Sequence, residues 1–222
     1  MWQEQQRAGC DMCTFQSVTT GSIRRLAWHW HEWRGKQPAA FMCIVTMDAI
    51  ARSAGISKKT LYQLVASKEE LMSQLVARDL STLELLLESG IDCAEDLLSE
   101  LRMYLYLWAR LTLSPLALGI YLMAAQGRES APGIARIWYQ EGAQRCLNLL
   151  RGWLGKAAGK GLLARADVEP AVELIDALLI SQPLKLFTLG VQQSWSDEQI
   201  SERVEVALGM FGRCFMARGA VA

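Results

Sequence analysis

Strand signals are almost missing from this chain of 222 residues. Val, Ile and Thr seldom alternate with polar residues, while Leu, Ala, Met, Glu and Arg recur at three-to-four spacing, so the pattern predicts an all-helical protein. Histidine is scarce too: there are two, His29 and His31. No Gly-rich phosphate loop, nucleophile elbow or metal-spaced carboxylate set accompanies them, so the sequence argues against an enzyme and implies no cofactor. No apolar run is long enough for a bilayer. The most apolar stretch, Leu111 to Ala125, is about fifteen residues where a span needs roughly twenty. It contains Pro115 and is bracketed by Arg110 and Arg128, so it reads as a buried helix and no membrane is expected as a partner. No basic-then-apolar leader opens the chain, and Cys10, Cys13, Cys43, Cys93, Cys146 and Cys214 are scattered. The expectation is a cytoplasmic protein with free thiols.

What is present fits a globular body with one basic end. The chain is 51% apolar and 21% charged, enough for a real core. Its net charge of zero hides a gradient: residues 1–68 hold nine Lys/Arg against four Asp/Glu, and the remainder fourteen against nineteen. A basic amino end on an acidic body suits a nucleic-acid reader. Clean helical periodicity begins at Thr46. The pattern predicts helices at Met47–Ala54, Lys58 to about Val65, and Lys68 to about Glu88, then at roughly 93–112, 115–127, 132–158, 170–189 and 197–217. Breaks fall at Ser89-Gly90, Gly127, Ala131-Pro132-Gly133, Gly159-Lys160-Gly161 and Gly190.

The run TMDAIARSAGISKKTLYQLVASKEEL, Thr46 to Leu71, carries the functional signal. Thr46 can cap the first helix, with Asp48 in the first turn, where the helix dipole favours an acid. Ile50, Ala51 and Ala54 form its apolar stripe. Gly55 supplies the left-handed turn and Ile56 plugs the corner. Ser57 caps a second helix whose inward positions are Leu61, Leu64 and Val65. Its outward positions are Lys58, Lys59, Thr60, Tyr62 and Gln63. Ser67 and Glu70 form a capping box for the third helix, with Lys68 in its first turn. A helix-turn-helix reader must push the start of its second helix into the major groove. Lys58 and Lys59 can meet phosphates or guanine edges, Thr60 and Gln63 can bond to bases, and Tyr62 and Lys68 can clamp the backbone. Thr46 and Ser57 complete the expected DNA-binding set.

These residues resemble the signature of the tetracycline-repressor (TetR/AcrR) family of bacterial regulators. Ile50-Ala51, Ala54-Gly55, Ile56-Ser57, Thr60-Leu61-Tyr62 and Ser67-Lys68-Glu69-Glu70-Leu71 fit its pattern; Leu64-Val65 stand where an aromatic pair is commoner. The resemblance implies an all-α homodimer with a small DNA-binding domain, here residues 46–80, and a larger effector-binding and dimerisation domain, residues 81–222. It further implies repression of an operator in double-stranded DNA, relieved by a small ligand.

The first 45 residues depart from that pattern. The family begins with another helix, which should show a Leu/Ala/Phe stripe at about residues 25–38. This chain has AWHWHEWRGKQPA there, with Gly35 and Pro38 against a helix. Either the segment still covers the pair with Trp28, Trp30 and Trp33, or the residues before about Val45 come from a shifted reading frame or a misplaced start. The surplus of Trp, Cys and His favours the second. The alternative function is then a helical dimeric interaction protein of the same ancestry that has lost DNA binding. Cys10 and Cys13 with His29 and His31 resemble a zinc set, but zinc fingers want roughly three to five residues between the histidines. No metal is expected.

In the body, Ser196 and Gln199 form a capping box, and Ile200, Val204, Ala207, Leu208, Phe211 and Phe215 share one face. The preceding helix begins at Glu169-Pro170, carries Val172, Ile175, Leu178 and Leu179, and should kink at Pro183. The resemblance makes these two helices the homodimer interface. Met103, Tyr104, Trp108, Tyr121 and Trp138 are the expected lining of a pocket for an apolar or aromatic ligand; Met123 and Tyr139 lie in the same stretch.

Overall fold

The computed structural model describes residues 46–53, 55–87, 90–126, 132–164, 168–192 and 194–217. Residues 1–45 lie outside them, with the tryptophan cluster, Cys10, Cys13, His29 and His31, as do Ala54, Glu88, Ser89, Gly127 and Ala131. Every regular element among the described residues is helical, as the periodicity predicts. They fall into two compact units, Thr46–Ala66 and the residues from Ser67 onward.

The first unit is two short helices, α1 (Met47–Ser53) and α2 (Lys58–Leu64), packed on each other. Thr46 Oγ1 accepts the Ala49 N–H at 3.3 Å, so the expected cap is in place. At the other end the Ile56 N–H donates to Ala51 O (3.0 Å) and the Gly55 N–H to Arg52 O (3.2 Å), the paired bonds of a Schellman cap. That cap needs a left-handed residue, and Gly55 has φ +67°. Ser57 then caps α2 from extended backbone, its Oγ accepting the Thr60 N–H at 3.0 Å. Ile50, Ala51, Leu61 and Val65 are buried; Leu64, expected inward, is half-buried.

The second unit opens with α3 (Lys68–Leu86), where Ser67 Oγ accepts the Glu70 N–H at 3.1 Å. There follow α4 (Ala94–Thr112) and α5 (Pro115–Gln126). Two runs expected as single helices are divided. Residues 132–159 comprise α6 (Pro132–Arg136), a π-helical stretch Ile137–Ala143, and α7 (Gln144–Gly159). Residues 169–188 comprise α8 (Glu169–Asp176), a second π-helical stretch Ala177–Ser181, and α9 (Gln182–Thr188). The expected disturbance at Pro183 takes this form: proline has no N–H for the carbonyl one turn back, and the wider turn just before it absorbs the loss. The inserted residue shifts the buried face, so Ile175 and Leu179 are followed by Ile180 and Leu184 and Leu178 is only half-buried.

Helix α10 (Asp197–Phe215) closes the chain, with both hydrogen bonds of the Ser196–Gln199 capping box formed. Ala164 N–H to Phe215 O (2.8 Å) and Ala217 N–H to Leu162 O (3.1 Å) tie its end to the loop after α7. Helix α4 lies at the centre of this unit, against α3, α5 and α10. Its Leu97, Leu101, Tyr104, Leu105 and Trp108 are buried in one cluster with Leu150 and Leu154 of α7 and Phe211 of α10. Fully burying each such side chain contributes about 1.5–3 kcal/mol.

One expectation is corrected here. Ile200, Val204, Ala207, Leu208 and Phe211 are buried in their own subunit, where α10 packs on α4 and α8, so this stripe cannot be the dimer face. A 3.6-residue period says that a face is covered, not by what. The outer face of α10 exposes Val206 and Met210 instead. No single helix among the described residues is long and apolar enough to cross a membrane.

Candidate functional site

Because Ser57 is the cap, α2 starts at Lys58, and its first turn is Lys58, Lys59 and Thr60. Lys58, Lys59 and Gln63 are exposed, Tyr62 is 45% exposed, and Thr60 is half-buried. The Ser57 and Thr60 hydroxyls share a hydrogen bond of 2.8 Å, which orients Thr60. Thr46 is exposed at the start of α1. Lys68 is half-buried at the start of α3, in the second unit. Of the outward polar set, Lys58, Lys59, Tyr62 and Gln63 are thus on the surface of α2 over one and a half turns, and Thr60 is partly covered.

The sequence reading missed what holds Lys58. Its Nζ lies 2.8 Å from Asp48 Oδ1, across the turn between α1 and α2. That hydrogen bond, and next the carboxylate's charge, raise the lysine pKa above its ordinary value. Asp48 was read as a dipole residue only. No local spacing rule joins two positions on either side of a glycine corner, so the pair appears only when the corner is built.

The second unit contains a hollow of about 70 Å³, widening to about 600 Å³ of atom-free space when its open mouth is included. Five residues of α3 form one wall: Leu75, Val76, Asp79, Leu80 and Leu83. The others are Leu111 and Thr112 of α4, Ala117 and Ile120 of α5, Trp138, Gly142 and Ala143 of the first π-helical stretch, and Cys146 of α7. Burial pushes the Cys146 thiol up to about 12, so it is neutral. Ser73 Oγ donates to Glu141 Oε2 at 2.6 Å, and Arg145 pairs with Glu84, so α3 is clasped to the π-helical stretch and α7 along this wall.

Of the five residues expected to line a pocket, one does. Trp138 is in the wall, and the Tyr121 ring packs against it, tilted by 52°, with ring centroids 4.8 Å apart. Met103 is corrected to the surface, being 51% exposed. Tyr104 and Trp108 are corrected to the core, where their rings pack 6.0 Å apart. The Tyr104 hydroxyl donates to Cys146 O at 2.8 Å, and burial raises its pKa well above the tyrosine range. Residue type had selected these three. Helical phase separates them, because Met103 is one position, about 100° of helix, from Tyr104. The α3 wall was legible only as an apolar face.

Comparisons with known proteins give the frame for both sites. Residues 44–75 match the family model of bacterial regulatory proteins of the tetR family. Residues 99–217, more than half the chain, match the model of the AefR-like transcriptional repressor C-terminal domain. A search of curated proteins finds no significant match. Among solved structures, a TetR transcriptional regulator from Agrobacterium tumefaciens is similar, with TM-score 0.66 and 17% identity over 92% of this chain and 98% of that one. A TetR family regulator from Pseudomonas syringae pv. tomato has TM-score 0.58 and 24% identity over 92% and 100%. The flavonoid-responsive regulator FrrA has TM-score 0.54 and 23% identity over 90% and 100%. At these identities the structures support the shared fold, while the two family models cover the reading corner and the body. The chain belongs to the TetR family of bacterial regulators and is a DNA-binding regulator of transcription.

Proposed function

We propose that the chain is a repressor that reads its operator with α2 and leaves it when a small apolar or aromatic ligand enters the hollow walled by α3. Thr46, Ser57, Lys58, Lys59, Thr60, Tyr62, Gln63 and Lys68 are the residues assigned to DNA. In this account the reading domain is residues 46–80, and its α3 also gives Leu75, Val76, Asp79 and Leu80 to the hollow of the effector-binding and dimerisation body, residues 81–222. The carrying observation is that five wall residues of the hollow sit on the helix that follows the reading corner directly in the chain. An apolar cavity of about 150 Å³ holds one benzene ring. An aromatic ligand taken fully into the hollow of about 70 Å³ therefore moves a wall, and α3 is the longest part of that wall. Two subunits pair through α8–α9 and the outer face of α10, which gives the dimer two copies of α2 for two half-sites.

Filling the hollow tests this. Ala143→Leu occupies the hollow that the ligand needs and leaves α2 untouched. We expect the variant to bind operator as the wild type does and to stay bound at effector concentrations that release the wild type. Equal release of both proteins would contradict the assignment.

A further inference from the structure

We propose that the hollow selects ligands that join an aromatic ring to a positive charge, with Asp79 holding the charge; this rests on the reading of the hollow as the effector site. Among the described residues of the wall, Asp79 is the one charged side chain. The other described lining residues are apolar except for the Thr112 hydroxyl and the neutral Cys146 thiol, with no lysine or arginine among them. The one cation paired with Asp79 among the described residues is its sequence neighbour Arg78, whose Nε and Nη2 donate to Asp79 Oδ1 at 3.2 and 2.9 Å. Neighbouring residues do not face each other on a helix. The arginine reaches round from a more exposed position, 42% against 29% for the aspartate. Such exposed pairs are weak, so an incoming cation can take Arg78's place.

The second feature is the ring. Trp138 is in the same wall, in ring contact with Tyr121. An indole face attracts a cation through its quadrupole, and does so more strongly where water is displaced. A carboxylate and an indole in one otherwise apolar hollow are the two groups that recognise an ammonium attached to a flat ring. An anionic ligand meets Asp79 with the wrong sign, and a neutral ring leaves the carboxylate with Arg78 and gains nothing from it.

The test uses the full chain and three single-ring probes in calorimetric titrations: benzyltrimethylammonium, benzyl alcohol and benzoate. Benzyltrimethylammonium is expected to bind about tenfold more tightly than benzyl alcohol, with benzoate weakest. Asp79→Asn should erase the preference, Asp79→Glu should keep it, and Arg78→Ala should strengthen it by removing the competitor. Asp79→Glu also guards against a folding defect at this position. Benzyl alcohol or benzoate binding as tightly as the cation, or a preference that survives Asp79→Asn, would overturn the proposal while leaving the hollow as an effector site. No binding of any probe would overturn it together with that assignment.

Discussion

The proposed reading has Lys58 meet a phosphate, and in this structure it is already bonded to Asp48 at 2.8 Å. In the free protein the carboxylate orients the ammonium; if Lys58 meets a phosphate as proposed, the same carboxylate faces that phosphate and opposes it. Asp48 is therefore expected to damp affinity. Asp48→Asn should bind DNA more tightly at low salt, and the slope of log affinity against log salt should steepen by about one. An anisotropy titration across a salt series reads both, and an unchanged slope would show that Lys58 makes no phosphate contact. At this scale the sequence was informative about which side chains α2 turns outward, because caps and spacing set the phase of a short helix. It was uninformative about partners. The Asp48–Lys58 pair crosses a corner, and Tyr104 bonds to the carbonyl of Cys146, far along the chain. Asp79, in the middle of α3, has no neighbour in sequence that marks it as lining a hollow.

Elements were legible where side chains end them. Ser57, Ser67 and Ser196 each accept the N–H three residues on, and Gly55 turns left-handed as its position demands. The π-helical stretches were not legible, since a turn with one extra residue leaves no compositional mark beyond a shifted apolar phase. Nor did the α10 stripe reveal that α4 and α8 cover it. The ion pairs between elements were equally hidden: Arg102 of α4 with Glu205 of α10, and Arg151 of α7 with Glu169 of α8. Hydrogen bonds from their arginines, and then the arginines' charge, hold Glu205 and Glu169 below the ordinary value of 4.5, with slight burial opposing. A lowered folded pKa stabilises the fold above the unfolded value, and this is lost as pH falls below 4.5 through the folded value. Glu205→Gln should thus be less stable than the wild type at neutral pH. The gap should close as pH falls below 4.5, as urea unfolding at a series of pH values would read. A gap independent of pH would mean that the pair contributes nothing.

The described residues divide into a small unit, Thr46–Ala66, and a larger body from Ser67 onward. Two copies are needed to read two half-sites, and the inner stripe of α10 is already used. The dimer reading places Val206 and Met210 at the interface, both exposed in the single chain. Met210→Glu should shift the protein from dimer to monomer in analytical ultracentrifugation while leaving its helical content unchanged; a variant that still sediments as a dimer would place the interface elsewhere. The central claim is that α2 reads DNA. Its most direct test is fluorescence anisotropy with a duplex from upstream of the protein's own gene and a shuffled duplex of equal length. The account predicts selective, salt-sensitive binding that weakens about tenfold or more in Lys58→Ala and in Tyr62→Ala. Equal, weak binding of both duplexes by a well-folded dimer would contradict it.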